Sequence, residues 1–336
     1  MKRNAYFDNA KLLLIFLVVF GHIIQPLANE STSIGTLYTW IYTFHMPAFI
    51  FLSGFFAKGS GSWQYVINLA KKLLVPYLIF QILYTAYYFL IGKANWSTEH
   101  IFYPHWSLWF LLSLFCWHIL LILYKKMPAY LGLTIAITMG VTVGYFDSVE
   151  QLFSLSRTFV FFPFFLLGFH VKPEQITRLK QSVFRWVSPL ILIGVAAVIH
   201  FLPDVNIGWF FASQSYTSLE FDYLGGLARL AVYGTSTIMA VAILVWIPGR
   251  RFSFTYLGER TLYVYLLHGF FIQYFRELGL FQATNFFALI GLAFLSAAIV
   301  YLLSSRIIVT LAQPLIEVSY SRLQRSFEKL KHSITV

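Results

Sequence analysis

Residues Asp8 to Ala28 read DNAKLLLIFLVVFGHIIQPLA, and this stretch decides the fold class. From Ala10 to Ala28 it is almost wholly apolar, for about the 20 residues a helix needs to cross roughly 30 Å of hydrocarbon. Met1, Lys2 and Arg3 give it the basic start of a secretory signal peptide. It is followed by further apolar runs instead of a small-residue cleavage site and a polar domain, so it is expected to remain as a first transmembrane helix. Asp8, Lys11 and His22 break its apolar character. At about 1.5 Å rise per residue His22 lies roughly 16 Å deeper than Lys11, which predicts a position near the membrane middle. The separation is close to three helical turns, so both side chains share a face, with Asp8 one turn further towards the chain start. Packing alone gives an apolar helix no reason to align an acid, a cation and an imidazole.

The rest of the chain has the same character. Of its 336 residues 59% are hydrophobic and 11% charged, against about 25% charged in a soluble domain. Its 36 Phe, 21 Tyr and 9 Trp suit lipid-facing helices with aromatic belts, making the lipid bilayer the principal partner. A net charge of +11 could point to nucleic acid, but the cations fall in short clusters between long apolar runs, as cytoplasmic loops require, so no nucleic-acid partner is expected. Cys116 is the single cysteine, which excludes an intramolecular disulfide and a cysteine-built metal site; no metal is expected.

About ten runs have spanning length. They extend approximately from Ala10 to Ala28, Ile34 to Ala57, Leu73 to Ile91, Trp106 to Tyr124, Ala129 to Tyr145, Arg157 to Val171, Trp186 to Leu202, Ala228 to Ile247, Phe254 to Phe275 and Phe286 to Leu311. The expected fold is an all-α polytopic bundle of about ten transmembrane helices. Lys58, Lys71 and Lys72 follow the second run, Lys125 and Lys126 the fourth, Lys172 to Arg185 the sixth and Arg250 and Arg251 the eighth. Arg322, Arg325, Lys329 and Lys331 end the chain, while the opposite loops carry Glu30, Glu99, Asp147, Glu150, Asp204, Glu220 and Asp222, with Lys93 as the clear exception. By the positive-inside rule both termini face the cytoplasm. One domain is expected over residues 1–336, with a short basic cytoplasmic tail from about 318 to 336. The outer segment from Pro203 to Gly226 could cover a site or simply be solvated.

Ionisable groups within lipid are expensive unless paired or facing a cavity, which makes them candidate site residues. His45 lies in FHMPAFIFLSGF (Phe44 to Phe55), beside Pro47, Ser53 and Gly54. His268 ends YLGERTLYVYLLH (Tyr256 to His268). With His22 they place one imidazole on each of three helices, which suggests a shared polar cavity where an imidazole could act as general base or acid. A hydrogen-bonded packing role competes for each, and alignment with Lys11 favours function for His22. Arg157 and Arg229 open spans on the outer side, where snorkelling and the holding of a phosphate or carboxylate are both open. Glu259 and Arg260 suit a local ion pair or loop contact.

The chain resembles the acyltransferase family 3 of integral membrane O-acyltransferases over most of its length. The resemblance rests on Lys11 and His22, a basic residue and a histidine with ten residues between them in the first helix, on Asp8 before them, and on FHMPAFIFLSGF, LVPYLIF, LWFLLSLF, FPFFLLGF and LGERTLYVYLLH in order. It implies a bacterial inner-membrane enzyme that moves acetyl from acetyl-CoA, a donor substrate rather than a tightly bound cofactor, to a cell-envelope or exported carbohydrate. The nearest group is the stand-alone members similar to fucose 4-O-acetylases and to the acyltransferase of poly-N-acetylglucosamine export, so a polysaccharide synthesis or export complex is a possible partner. Many relatives carry Arg-x-x-Arg after the second span, where this chain has Lys71 and Lys72. The expected catalytic residues are His22 as general base, Lys11 orienting the donor or countering negative charge, and Asp8 holding Lys11. His45, Ser53, Lys71, Lys72, Arg157 and His268 are the expected substrate- and donor-binding residues. The alternative is a transporter or flippase of a polysaccharide or lipid-linked sugar, since a polar midplane also serves transport. A scaffold of a polysaccharide synthase is a third reading. Consumption of acyl-CoA separates transferase from transporter, and indifference to loss of His22 would mark the scaffold.

Overall fold

Asn4 starts the first helix, its side chain accepting from the Tyr6 N–H at 3.0 Å, and α1 runs Ala5–Ile24. Pro26 then turns the chain into a 3-10 segment, Gln25–Asn29. In the computed structural model the described residues are 4–93, 103–150, 152–202, 205–281 and 285–317. The basic tail expected from 318, the amino-terminal Lys2 and Arg3, and Glu99 and Asp204 lie outside them. The described residues are helical with turns and contain no strand.

Each of the ten expected runs coincides with a helix: α1, α2 (Thr32–Phe55), α3 (Trp63–Leu90), α4 (Trp109–Tyr124), α5 (Ala129–Thr142), α6 (Leu155–His170), α8 (Phe184–Phe201), α10 (Gly225–Leu244), α11 (Thr261–Glu277) and α12 (Phe286–Leu303). Among the described residues six helical stretches are long and apolar enough to cross a membrane, and two shorter apolar ones accompany them. The chain is a multi-pass membrane protein. α8 shows why lipid is the solvent: Leu190, Ile193 and Val198 are exposed on it, and its buried residues are Ser188 and Ile199.

Several boundaries differ from the sequence expectation; the ninth run, expected from Phe254, opens with a 3-10 segment over Thr255–Glu259 and its helix starts only at Thr261. α3 begins ten residues before Leu73, because Ser62 caps it, accepting from the Tyr65 N–H at 3.3 Å, and nothing between breaks the helix. Lys71 and Lys72 therefore lie within α3, both exposed, and not in a loop. The run from Phe286 to Leu311 is two helices: α12 stops at Leu303 and α13 resumes over Arg306–Glu317. Arg260 Nη1 donates to the Ser304 carbonyl at 2.5 Å, holding the break. The basic connection after the sixth run folds into α7 (Pro173–Gln181), with Pro173 and Glu174 in its first turn and Arg178 and Lys180 in its last, the arrangement that suits the helix dipole. Lys180 Nζ donates to the Ile247 carbonyl at 2.6 Å and lies 4.6 Å from the centre of the Tyr6 ring, tying α7 to the start of α1.

Small residues set how closely the helices of the site approach. A Cβ on Gly54 of α2 would overlap the Phe165 carbonyl of α6, and one on Gly168 of α6 would overlap the Phe51 carbonyl of α2. The two helices thus meet backbone to backbone through reciprocal glycines, as close packing in lipid favours. Gly258 allows the Thr255–Glu259 turn to press on the Asp8 carbonyl. Asn9 anchors that turn, donating to the carbonyls of Pro248 and Arg250 at 2.9 Å and accepting from Thr255 Oγ1 at 2.7 Å.

Candidate functional site

Pro26 lacks an N–H, so the carbonyl four residues earlier, that of His22, loses its helical partner. Arg276 Nη2, from the last turn of α11, donates to that carbonyl and also to Gln25 Oε1 at 2.8 Å. α1 ends here, which places His22 in its last turn. The helices beside it continue past this level, so His22 meets the middle of both α2 and α11. Its Nδ1 is 3.3 Å from the Tyr42 hydroxyl, its ring centre is 5.6 Å from that of His268 in a stacked pair, and Trp106 packs at 4.1 Å.

His45 and His268 are oriented alike. Each Nδ1 lies against the carbonyl one helical turn back, Ile41 at 2.9 Å and Val264 at 3.0 Å. A carbonyl only accepts, so both rings carry their proton on Nδ1 when neutral and present an unprotonated Nε2. For His268 that atom is buried without a hydrogen-bond partner.

His22, His45 and Arg157 line one cavity of about 160 Å³, together with Gln25, Tyr42 and Trp109. Arg157, in the first turn of α6, donates through Nε to the Phe211 carbonyl at 3.2 Å and lies 5.1 Å from the Trp109 ring centre. Phe210 and Phe211 of the short helix α9 (Gly208–Phe211) also line it. Both belong to the segment from Pro203 to Gly226, whose described part thus lies against this cavity. Trp106 has φ 33°, a left-handed conformation costly for a bulky residue and concentrated at functional sites. His105 holds that turn: its Nε2 is 2.7 Å from Thr85 Oγ1, and its N–H donates to Gln81 Oε1 at 3.1 Å.

The other expected residues fall elsewhere. His268 stacks behind His22 and is not part of the lining. Lys11 Nζ pairs with Asp8 Oδ1 at 2.8 Å, outside the cavity but on the helix face that carries Ile15, Val18 and His22. α1 and α2 are antiparallel, with Tyr42 beside His22 and Phe7 against Phe55 at 4.6 Å. Equal rise then sets Met46 level with Val18, Phe49 with Ile15 and Ser53 with Lys11. Ile15, Val18, Met46 and Phe49 all line the cavity, so Lys11 and Ser53 stand one turn beyond its inner end. Ser53 donates to the Phe49 carbonyl at 2.9 Å. Lys71 and Lys72 are exposed on α3 and are not among the cavity's lining residues. Among the described residues no cluster of three or more His, Cys, Asp or Glu side chains could hold a metal ion.

Arg276 was not anticipated. Like Lys93, it departs from the expected pattern of acidic outer loops; Lys93 pairs locally, with Glu277 at 2.9 Å and Gln273 at 2.7 Å. Arg229 is buried, donating to the Trp209 carbonyl at 2.6 Å and so joining α10 to α9. Arg251 pairs with Glu259 at 3.1 Å, a loop contact of the expected kind.

A helical membrane protein enclosing two imidazoles and an arginine around one cavity of about 160 Å³ defines a class of membrane bundles with a polar chamber in the core. Residues 4–305 match the acyltransferase family 3 model, described as an acyltransferase domain, and the chain belongs to that family. It is an O-acyltransferase. It is similar to the nodulation protein NolL of Mesorhizobium japonicum, 26% identical over 308 residues, covering 83% of this chain and 79% of the relative. Nodulation protein NolL of Sinorhizobium fredii is 27% identical over 293 residues, covering 80% and 77%. No solved structure matches.

Proposed function

We propose that this protein is a ten-span enzyme of the bacterial cytoplasmic membrane, with both termini in the cytoplasm, that transfers acetyl from acetyl-CoA to a hydroxyl of a cell-envelope or exported carbohydrate. The observation that carries this reading is the single cavity lined by His22, His45 and Arg157. The thioester would enter from the cytoplasmic side between α1 and α2, past the level of Lys11 and Ser53, along the Ile15, Val18, Met46 and Phe49 surfaces. His22 takes the proton of the acceptor hydroxyl as its oxygen attacks the thioester carbonyl. Arg157 offers its guanidinium to the oxyanion that develops. Collapse breaks the carbon–sulfur bond, and the imidazolium returns its proton to the departing CoA thiolate, leaving an acetyl ester and free CoA. His268 holds the His22 ring from behind, and Asp8 keeps Lys11 in place at the inner mouth, where its charge can guide the anionic donor.

Acetyl transfer by inserted, folded His22→Ala and Lys11→Ala variants tests the mechanism. Loss of a general base is expected to slow transfer by about 10² to 10⁴. Lys11→Ala should act mainly on the acetyl-CoA requirement. Wild-type rates in both would sink the assignment.

A further inference from the structure

A second cavity, about 500 Å³, opens where α1 ends and α2 begins, and it shares Gln25 and Phe211 with the central one. Its wall is polar without being charged. Asn29, Thr32, Thr36, Thr39 and Asn206 supply amides and hydroxyls, and no Lys, Arg, Asp or Glu stands among its described lining residues. Thr36 Oγ1 donates to the Thr32 carbonyl at 2.8 Å and lies 3.1 Å from His200 Nδ1. Asn206 uses Oδ1 to accept from the Gly208 N–H at 2.9 Å, leaving its amide donors for a guest. Tyr38, also in the lining, is 4% exposed, and its buried hydroxyl has no hydrogen-bond partner. An orphaned buried hydroxyl at a polar opening calls for a ligand group to complete it. Arg276 is not in this lining; its Nη2 donates to the His22 carbonyl and to Gln25 Oε1.

We propose that this vestibule is the acceptor subsite and that it selects an uncharged sugar unit, a reading that rests on the carbohydrate acetyltransferase assignment above. A uronate or phosphorylated sugar would bring an anion to a wall whose described lining residues include no cation to pair it, and burying an unpaired charge is costly. A neutral pyranose instead offers hydroxyls that both donate and accept, which Thr, Asn and Tyr groups match, and apolar faces for the rings of Tyr38 and Phe211. A hydroxyl advanced past Gln25 and Phe211 enters the cavity that His22 lines.

The test uses the full-length protein in lipid nanodiscs with methyl glycosides as probes: glucose, fucose and N-acetylglucosamine against glucuronate. Binding is followed by saturation-transfer NMR without acetyl-CoA, and transfer by CoA release with mass spectrometry of the product. Neutral glycosides should bind and the glucuronide should not. Tyr38→Phe and Thr39→Val should each raise the KM for the sugar about fivefold, the loss of one neutral hydrogen bond, with the KM for acetyl-CoA unchanged. Tyr38→Phe removes only an oxygen and keeps the packing. The vestibule assignment is overturned if no neutral glycoside gives an NMR signal, if the glucuronide serves equally well, or if the double variant keeps the wild-type KM for sugar. Neutral-glycoside binding that responds to these variants, without any acetyl transfer, would instead overturn the transferase reading and leave the vestibule standing.

Discussion

Pro26 and Arg276 act on one oxygen from opposite ends of the sequence. The proline strips the His22 carbonyl of its helical donor and the arginine supplies another. A hydrogen bond to a charged group contributes about 1.5–3 kcal/mol, so Arg276→Gln should lower acetyl transfer roughly tenfold and weaken thermal stability in detergent. Pro26→Ala restores an N–H at the required place, and in the Arg276→Gln background it is expected to recover part of that loss. The cycle is read by transfer rates of the four proteins; additive effects would show that the two residues do not share a target. Half of this arrangement was legible in the sequence. The candidates His22, His45 and His268 announced themselves because ionisable groups in apolar runs are conspicuous, and Pro26 stands four residues after His22. Arg276 was hidden by a sequence separation of 254 residues, which only tertiary packing closes. Its one signal was a second cation in an otherwise acidic outer region.

The α2–α6 contact sets the cavity's width, since α2 carries Tyr42 and His45 while α6 carries Arg157. Gly54→Ala or Gly168→Ala drives a methyl group into a carbonyl of the facing helix, and backbone cannot step aside as a flexible side chain would. Overpacking of this kind costs about 1–3 kcal/mol. Each variant should melt at a lower temperature and transfer more slowly, measured by thermal shift and turnover of the same sample; an unchanged melting temperature would mean the helices can separate freely. Element existence was easy to read because an apolar run of spanning length has few other fates. Boundaries were harder. Lys71 and Lys72 look like a loop when charge marks the edge of a span, yet a helix capped at Ser62 carries them on its exposed side. The run from Phe286 to Leu311 breaks at Ser304 and Ser305, weak punctuation compared with Gly or Pro, and the one arginine beside them, Arg306, was the signal passed over.

On the proposed reading the donor entrance near Lys11 and Ser53 and the vestibule near Asn29 and Thr32 lie on opposite sides of the bilayer, a whole-molecule expectation that labelling can test. In a Cys116→Ser background, a membrane-impermeant maleimide applied to intact cells is expected to label Glu30→Cys and to spare Lys126→Cys until the membrane is permeabilised. Labelling of both, or the reverse order, would reverse the donor and acceptor sides. Lysines and arginines alone supply the expected orientation that this labelling tests, whereas the vestibule was not legible: its threonines and asparagines come from separate elements and look like ordinary loop composition until α1 and α2 are set side by side. Phe211, which bounds both chambers, gives the molecule a further obligation. An activated thioester beside an imidazole will react with water as readily as with an alcohol, and water is the more abundant nucleophile. The aromatic ring that narrows the passage is thus a guard against wasteful hydrolysis: Phe211→Ala should raise CoA release without acceptor relative to productive transfer. An unaltered ratio would mean that the seal lies elsewhere.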